Sequence, residues 1–185
     1  MKRIAGILLL LAAPALALAA GREVAGVVMP ETVPAAGKTL HLNGMGLRTK
    51  FIFKVYVAGL YLENPTRDAG AAISSEQVKR VDLHLLRSLD GAKITEAIEE
   101  GFQKNSHAQM SSLKARLDQL GAMIPDVRER DRITLTYIPQ KGTVVTVKGA
   151  EKGTIAGKDF ADALFSVWLG PHPVQADLKK AMLGG

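Results

Sequence analysis

Arg48, Lys50, Lys54 and Tyr56 fall at even spacing within the run Asn43 to Leu62, which is otherwise rich in Phe, Val, Leu and Gly. A guanidinium is charged at every physiological pH and can grip a carboxylate or an enolate through two parallel hydrogen bonds. A phenol further along the same face could donate to the same oxyanion. Read as a glycine turn opening into one long strand, alternation puts these four with Ile52, Ala58 and Leu60 on one face. Phe51, Phe53, Val55, Val57, Gly59 and Tyr61 then take the other face. A cationic upper half over an apolar lower half suits a small amphipathic anion. Arg48 and Tyr56 are therefore the candidate catalytic and ligand-binding residues, while Lys50 and Lys54 read as solvated ends at the sheet rim.

No other set of residues has comparable spacing. His41, His84, His107 and His172 show no paired arrangement with carboxylates, so no metal site is expected. His84 shares a strand face with Asp82 but reads as solvent-facing. The complete absence of cysteine removes disulfides, thiol nucleophiles and thiolate metal sites. Glu96, Glu99 and Glu100, flanked by Lys93 and Lys104, form a solvated helix face. The serines lack a nucleophile-elbow context, and Ser106 reads as a helix cap. No cofactor is expected.

The elements that must position Arg48 follow from turn residues and periodicity. Arg22 to Met29 reads as a first strand, Lys38 to Asn43 as a second, and Arg48 to Glu63 as the long third, stopped by Asn64-Pro65. Gln77 to Ser88 is a fourth, with Val81, Leu83 and Leu85 inward. The period then changes. Asp90 can cap a helix from about Ala92 to Lys104 whose stripe is Ile94, Ile98 and Phe102. A second helix ends near Leu120, with Met110, Leu113 and Leu117 inward and Gly121 as its C-cap. Asp131 to Tyr137 and Thr143 to Lys148 form a hairpin across Pro139-Gln-Lys-Gly142, and Lys152 to Ala156 adds a short strand. Asp159 to Leu169 is an amphipathic helix with Phe160, Leu164, Phe165 and Trp168 read as core. A last helix is expected over Pro173 to Leu183. Strands first, then a helical pair, a hairpin and more helices describe an α+β domain, an antiparallel sheet with helices on one face.

Residues 1–19 are expected to be a secretory signal peptide. Lys2 and Arg3 form a basic head, Ile4 to Leu18 is an apolar stretch interrupted by Pro14, and Ala17-Leu18-Ala19 fits a small-x-small cleavage site. Residues 20–185 then form one domain, periplasmic or secreted, with no stable membrane span after cleavage. The formal charge falls from +6 to +4 when Lys2 and Arg3 are removed. That mild excess, without a basic run, does not suggest nucleic-acid binding.

Gly44-Met-Gly-Leu-Arg48, the strand Phe53 to Glu63, Leu89-Asp-Gly-Ala-Lys-Ile-Thr-Glu96, Lys158 to Gly170 and the terminal Leu178 to Leu183 occur in an order that resembles the chalcone isomerase fold family, in its bacterial exported branch. The resemblance implies an open-faced β-sandwich, a large antiparallel sheet with a helical layer over it. The family includes plant isomerases that close a chalcone into a flavanone, and relatives that bind fatty acids through the same cleft arginine. Arg48 matches that arginine, and Tyr56 falls where the plant enzymes carry a strand threonine. Ile94 stands at the catalytic tyrosine position and Gly101 at that of a substrate-contacting asparagine.

The resulting expectation is an exported domain whose cleft binds a small amphipathic or aromatic acid, fatty-acid-like, lined by Arg48, Tyr56, Ile94 and Ile98, without chalcone cyclisation. Two alternatives stand beside it. One is an isomerase or intramolecular lyase using Arg48 to stabilise an enolate; the other is a non-catalytic interaction domain. Whether the protein is an enzyme stays open at this point.

Overall fold

The computed structural model describes residues 21–185, so the expected leader lies outside the described residues. Among the described residues nine strands run in chain order: β1 (Gly21–Val24), β2 (Val27–Pro30), β3 (Thr32–Ala35), β4 (Lys38–Lys50), β5 (Phe53–Leu62), β6 (Lys79–Leu85), β7 (Arg132–Ile138), β8 (Gly142–Val147) and β9 (Ala150–Ile155). Strands β3 to β9 form a seven-stranded sheet in which each strand pairs antiparallel with the next. The helices are α1 (Ala69–Ser74), α2 (Gly91–Asn105), α3 (Met110–Met123), α4 (Lys158–Leu169) and α5 (Ala176–Met182). This is the expected α+β architecture.

The main core lies between the sheet and the helices. Leu60, Leu62, Val81, Leu83 and Leu135 meet Phe102, Leu113, Leu117, Phe160 and Leu164 there. The Phe102 and Phe160 rings pack 5.4 Å apart in a tilted pair. Burying each such side chain stabilises the fold by about 1.5–3 kcal/mol. A smaller core occupies the other face, where the β1–β2 hairpin lays Met29 over Leu40, Leu42, Val57 and Tyr61.

Three hairpins replace the simpler strands expected from the sequence. Arg22 to Met29 is folded in two at Ala25-Gly26, where both residues have positive φ. Ala36-Gly37 makes the same turn and creates β3, which strand patterning missed. Both suit the two-residue turns whose backbone matches strand twist. The third is the consequential one: the supposed long strand reverses at Phe51-Ile52, with Lys50 paired to Phe53. Phe51 sits there at φ 56°, a left-handed conformation costing a residue with a Cβ about 1–2 kcal/mol.

The glycines before Arg48 are accordingly not a turn. Gly44 and Gly46 lie inside β4 because α5 presses onto that strand. A Cβ on Gly44 would run into the Ala181 carbonyl, and one on Gly46 would come 2.7 Å from the Ala181 methyl. Asn43 is the extra residue of a bulge between Leu42 and Gly44. Its side chain donates to the Met182 carbonyl at 2.9 Å and accepts from the Thr66 amide at 2.8 Å, tying α5 to the sheet.

Helix boundaries shift for similar local reasons. Asp90 occupies the N-cap of α2 without capping it. Asp126 accepts from the Gly91 amide at 2.9 Å instead, and Asp90 pairs with Lys93. Gly121 lies inside α3, whose cap is Ile124. The last helix begins at Ala176, later than Pro173. Helix α1, capped by the Asp68 carboxylate, had no expected counterpart.

Candidate functional site

Arg48, near the end of β4, lies directly opposite Tyr56 on β5. Opposed residues of an antiparallel pair share a face, so the two side chains project together toward the helices. They meet across a hairpin, not along one strand. A bulge at Val55 brings Phe53 and Val55 to the cleft, contrary to the simple alternation, and leaves Lys54 outside its lining.

Arg48 is half-buried and held by neutral acceptors. Its Nη1 donates to the Thr49 carbonyl and, at 3.2 Å, to Gln175 Oε1. The Thr49 amide donates to the same Oε1 at 3.0 Å, and Gln175 Nε2 reaches the Leu47 carbonyl at 3.4 Å. Gln175, just before α5, therefore clasps the end of β4 and fixes the guanidinium. Sequence reasoning missed it. The bond spans 127 residues, and no local pattern marks a glutamine as its partner.

The Tyr56 hydroxyl accepts from Trp168 Nε1 at 3.0 Å. Burial pushes the phenol above its ordinary value; the Trp168 bond and the Arg48 charge oppose this without reversing it. Tyr56 is thus protonated at neutral pH. Trp168 uses a lone pair of the oxygen, so the phenol hydrogen is not spent in that bond.

These groups border a cavity of about 680 Å³ between the inner face of the sheet and helices α2 and α4. Arg48 and Tyr56 lie on the sheet side, Ile94 and Ile98 on the α2 side, and Leu83, Leu85, Ile133 and Val167 make the interior apolar. All four residues expected to contact a ligand border this one space. Trp168, expected in the core, is buried there and also borders the cleft. Gly101 also borders the cleft. A Cβ there would come 2.9 Å from Val167, so its small size serves the α2–α4 packing. Lys50, Arg87, Lys93 and Lys104 surround the mouth together with Asp90 and Glu100, which pair with Lys93 and Lys104 at 2.9 and 2.6 Å.

The histidines take no part in this geometry except His172, which borders the cleft. His84 is half-buried on the opposite sheet face, beside Val57, where it was expected in solvent. Burial, then the Arg132 charge, pulls its pKa down to about 4. Among the described residues no group of three His, Asp or Glu side chains could hold a metal ion. No described helix is long and apolar enough to cross a membrane.

Residues 21–184 match a protein-family model described as chalcone isomerase-like. Among solved structures, the crystal structure of an Arabidopsis thaliana fatty-acid binding protein is similar in fold, with a TM-score of 0.68 at 14% identity. The match covers 85% of this chain and 92% of that one. No curated protein matches this chain in sequence.

Proposed function

The chain belongs to the chalcone isomerase-like family, and from that premise we propose that its cleft holds a small amphipathic acid of fatty-acid type, with the carboxylate against Arg48. The observation that carries this reading is the state of Arg48. It is a permanent cation fixed by a glutamine and a backbone carbonyl, facing an apolar cavity of about 680 Å³. A volume of this order falls in the usual range of small-molecule sites. The guanidinium supplies charge-assisted donors, the Tyr56 phenol supplies a further one, and the interior between Ile94, Ile98 and Leu85 takes the hydrocarbon. The fold shared with a fatty-acid binding protein supports the same ligand class.

Ring closure of a chalcone needs proton transfer as well as charge stabilisation. Ile94 brings a hydrocarbon where the family resemblance implies a catalytic hydroxyl, and Gly101 brings no amide. Arg48 and Tyr56 therefore act in binding. The signal-peptide character of residues 1–19 supports an exported compartment for this binding protein; cell fractionation with N-terminal sequencing checks that, and a cytoplasmic, uncleaved chain would contradict it.

Native mass spectrometry of the protein purified from cells tests the ligand. An acid is expected to accompany the wild type and to be absent or much reduced in Arg48→Ala. Equal occupancy in both proteins would remove Arg48 as the anchor, and an empty cleft that also rejects added fatty acids would remove the reading altogether.

A further inference from the structure

The tip of the β4–β5 hairpin is the most exposed apolar feature among the described residues. Phe51 is 91% exposed, Ile52 89% and Phe53 52%. Three consecutive large apolar side chains in water are unfavourable, and contiguous patches of this kind mark surfaces that meet a partner or a membrane. The backbone adds a second oddity. Phe51 stands at φ 56° in the first central position of a two-residue hairpin loop, where glycine or asparagine would be cheaper. An aromatic held at such a position and left this exposed gains little from packing. Backbone strain of this sort is a pointer to function.

The surrounding charge selects the partner. Lys50 and Lys54 flank the tip and are exposed, and the Arg87 guanidinium stacks 4.7 Å from the Phe53 ring centroid. None of these three has a carboxylate partner among the described residues. The nearby acids Asp90 and Glu100 are already paired with Lys93 and Lys104. A protruding aromatic–aliphatic tip ringed by unmatched cations is complementary to a bilayer with anionic headgroups, into whose interface Phe and Ile insert while Lys and Arg meet phosphate. Phe51, Phe53 and Lys50 also border the cleft, so the same tip stands at its entrance.

We propose that the Phe51-Ile52-Phe53 hairpin tip docks the protein on an anionic lipid bilayer and sets the cleft mouth against it. Docking itself needs no ligand; only its use, exchange of the acid between bilayer and cleft, rests on the acid-binding reading above.

Co-flotation of the full chain with ligand-free vesicles is the test, using phosphatidylcholine alone or with one third phosphatidylglycerol. Wild type is expected to partition at least tenfold more strongly onto the phosphatidylglycerol vesicles. The variant Ile52→Asp/Lys54→Glu changes two exposed residues outside the cleft lining. It is expected to fall to the phosphatidylcholine level while its circular dichroism and its fatty-acid titration in solution stay unchanged. Any contribution from residues 1–19 is common to both proteins and cancels in the comparison. Equal binding by wild type and variant would overturn the proposal. So would indifference to phosphatidylglycerol, including the case in which sedimentation instead shows tip-dependent self-association. A wild type that titrates fatty acid but does not dock would remove this inference alone; a wild type that docks but does not titrate would remove the acid-binding reading alone.

Discussion

Two cations on the helix-facing side of the sheet, Arg48 on β4 and Lys79 on β6, have opposite surroundings. Lys79 has no solvent exposure. Its ammonium donates to the carbonyls of Ala72, Ile73 and Ser75 at the end of α1 and to Asp162 of α4, and it lies about 5 Å from the Tyr137 and Phe165 ring centroids. Every donor is spent within the protein, and Asp162, whose carboxylate also pairs with Lys158, supplies countercharge at 3.4 Å. Among the described residues Arg48 is bonded to neutral acceptors only, and it borders open space. A buried cation closed off by a carboxylate works as an internal tie between elements. One steadied by neutral groups beside a cavity keeps its charge available for an incoming anion.

The contrast is broken most severely at Lys79. Lys79→Ala strips the carbonyls at the end of α1 of their donor and is expected to destabilise the protein by about 3 kcal/mol, read by urea unfolding. Fatty-acid affinity should not change in the fraction that remains folded. A loss of ligand binding without loss of stability would erase the distinction between the two cations.

A pH titration sharpens the same point. Burial depresses Lys79 to about 8 from an ordinary 10.5. Between those values the unfolded chain binds more protons than the folded one, so stability rises with pH. From pH 8 to 9.5 the gain should be about 1–2 kcal/mol in wild type and absent in Lys79→Met. Stopping at 9.5 avoids Tyr61 and Tyr137, both raised to about 12, whose contribution is lost as pH climbs from 10. A flat profile in wild type would show that Lys79 is not desolvated as described.

On the Arg48 side the effects are smaller and fall on binding. Gln175→Ala frees the guanidinium from its clasp and should weaken fatty-acid affinity by about 1 kcal/mol, roughly fivefold, by isothermal titration. Stability should move less than in Lys79→Ala. Tyr56→Phe removes a single donor and should cost about 0.5 kcal/mol. Because burial holds Tyr56 protonated, wild-type affinity should be level from pH 7 to 9. A fall within that range would mean that the phenol ionises there and repels the bound anion.

The elements flanking the cleft were largely legible in the sequence. The β7–β8 hairpin announces itself through Pro139 and Gly142 between Thr/Val-rich arms, and the stripes Ile94-Ile98-Phe102 and Phe160-Leu164-Trp168 have helical period. The reversal at Phe51-Ile52 was not legible, because its turn contains no glycine, proline, asparagine or aspartate. Apolar residues instead run straight through it, as they would in a continuous strand. The glycines at 44 and 46 misled in the other direction. They answer to α5, more than 130 residues away, whose approach no local pattern records. Arg48 and Tyr56 still emerged as cleft partners because the hairpin pairs them directly. Gln175 and the entrance role of Phe53 depend on that tertiary arrangement, which alternation alone does not contain.

The central claim is that Arg48 anchors an acid in this cleft. Trp168, the only tryptophan of the chain, borders the same space and reports on it. Titrating delipidated protein with a medium-chain fatty acid and following Trp168 fluorescence should give saturable binding in wild type. In Arg48→Met the affinity should fall by about 2 kcal/mol, some thirtyfold, with the melting temperature little changed. Identical titrations for the two proteins would contradict the account.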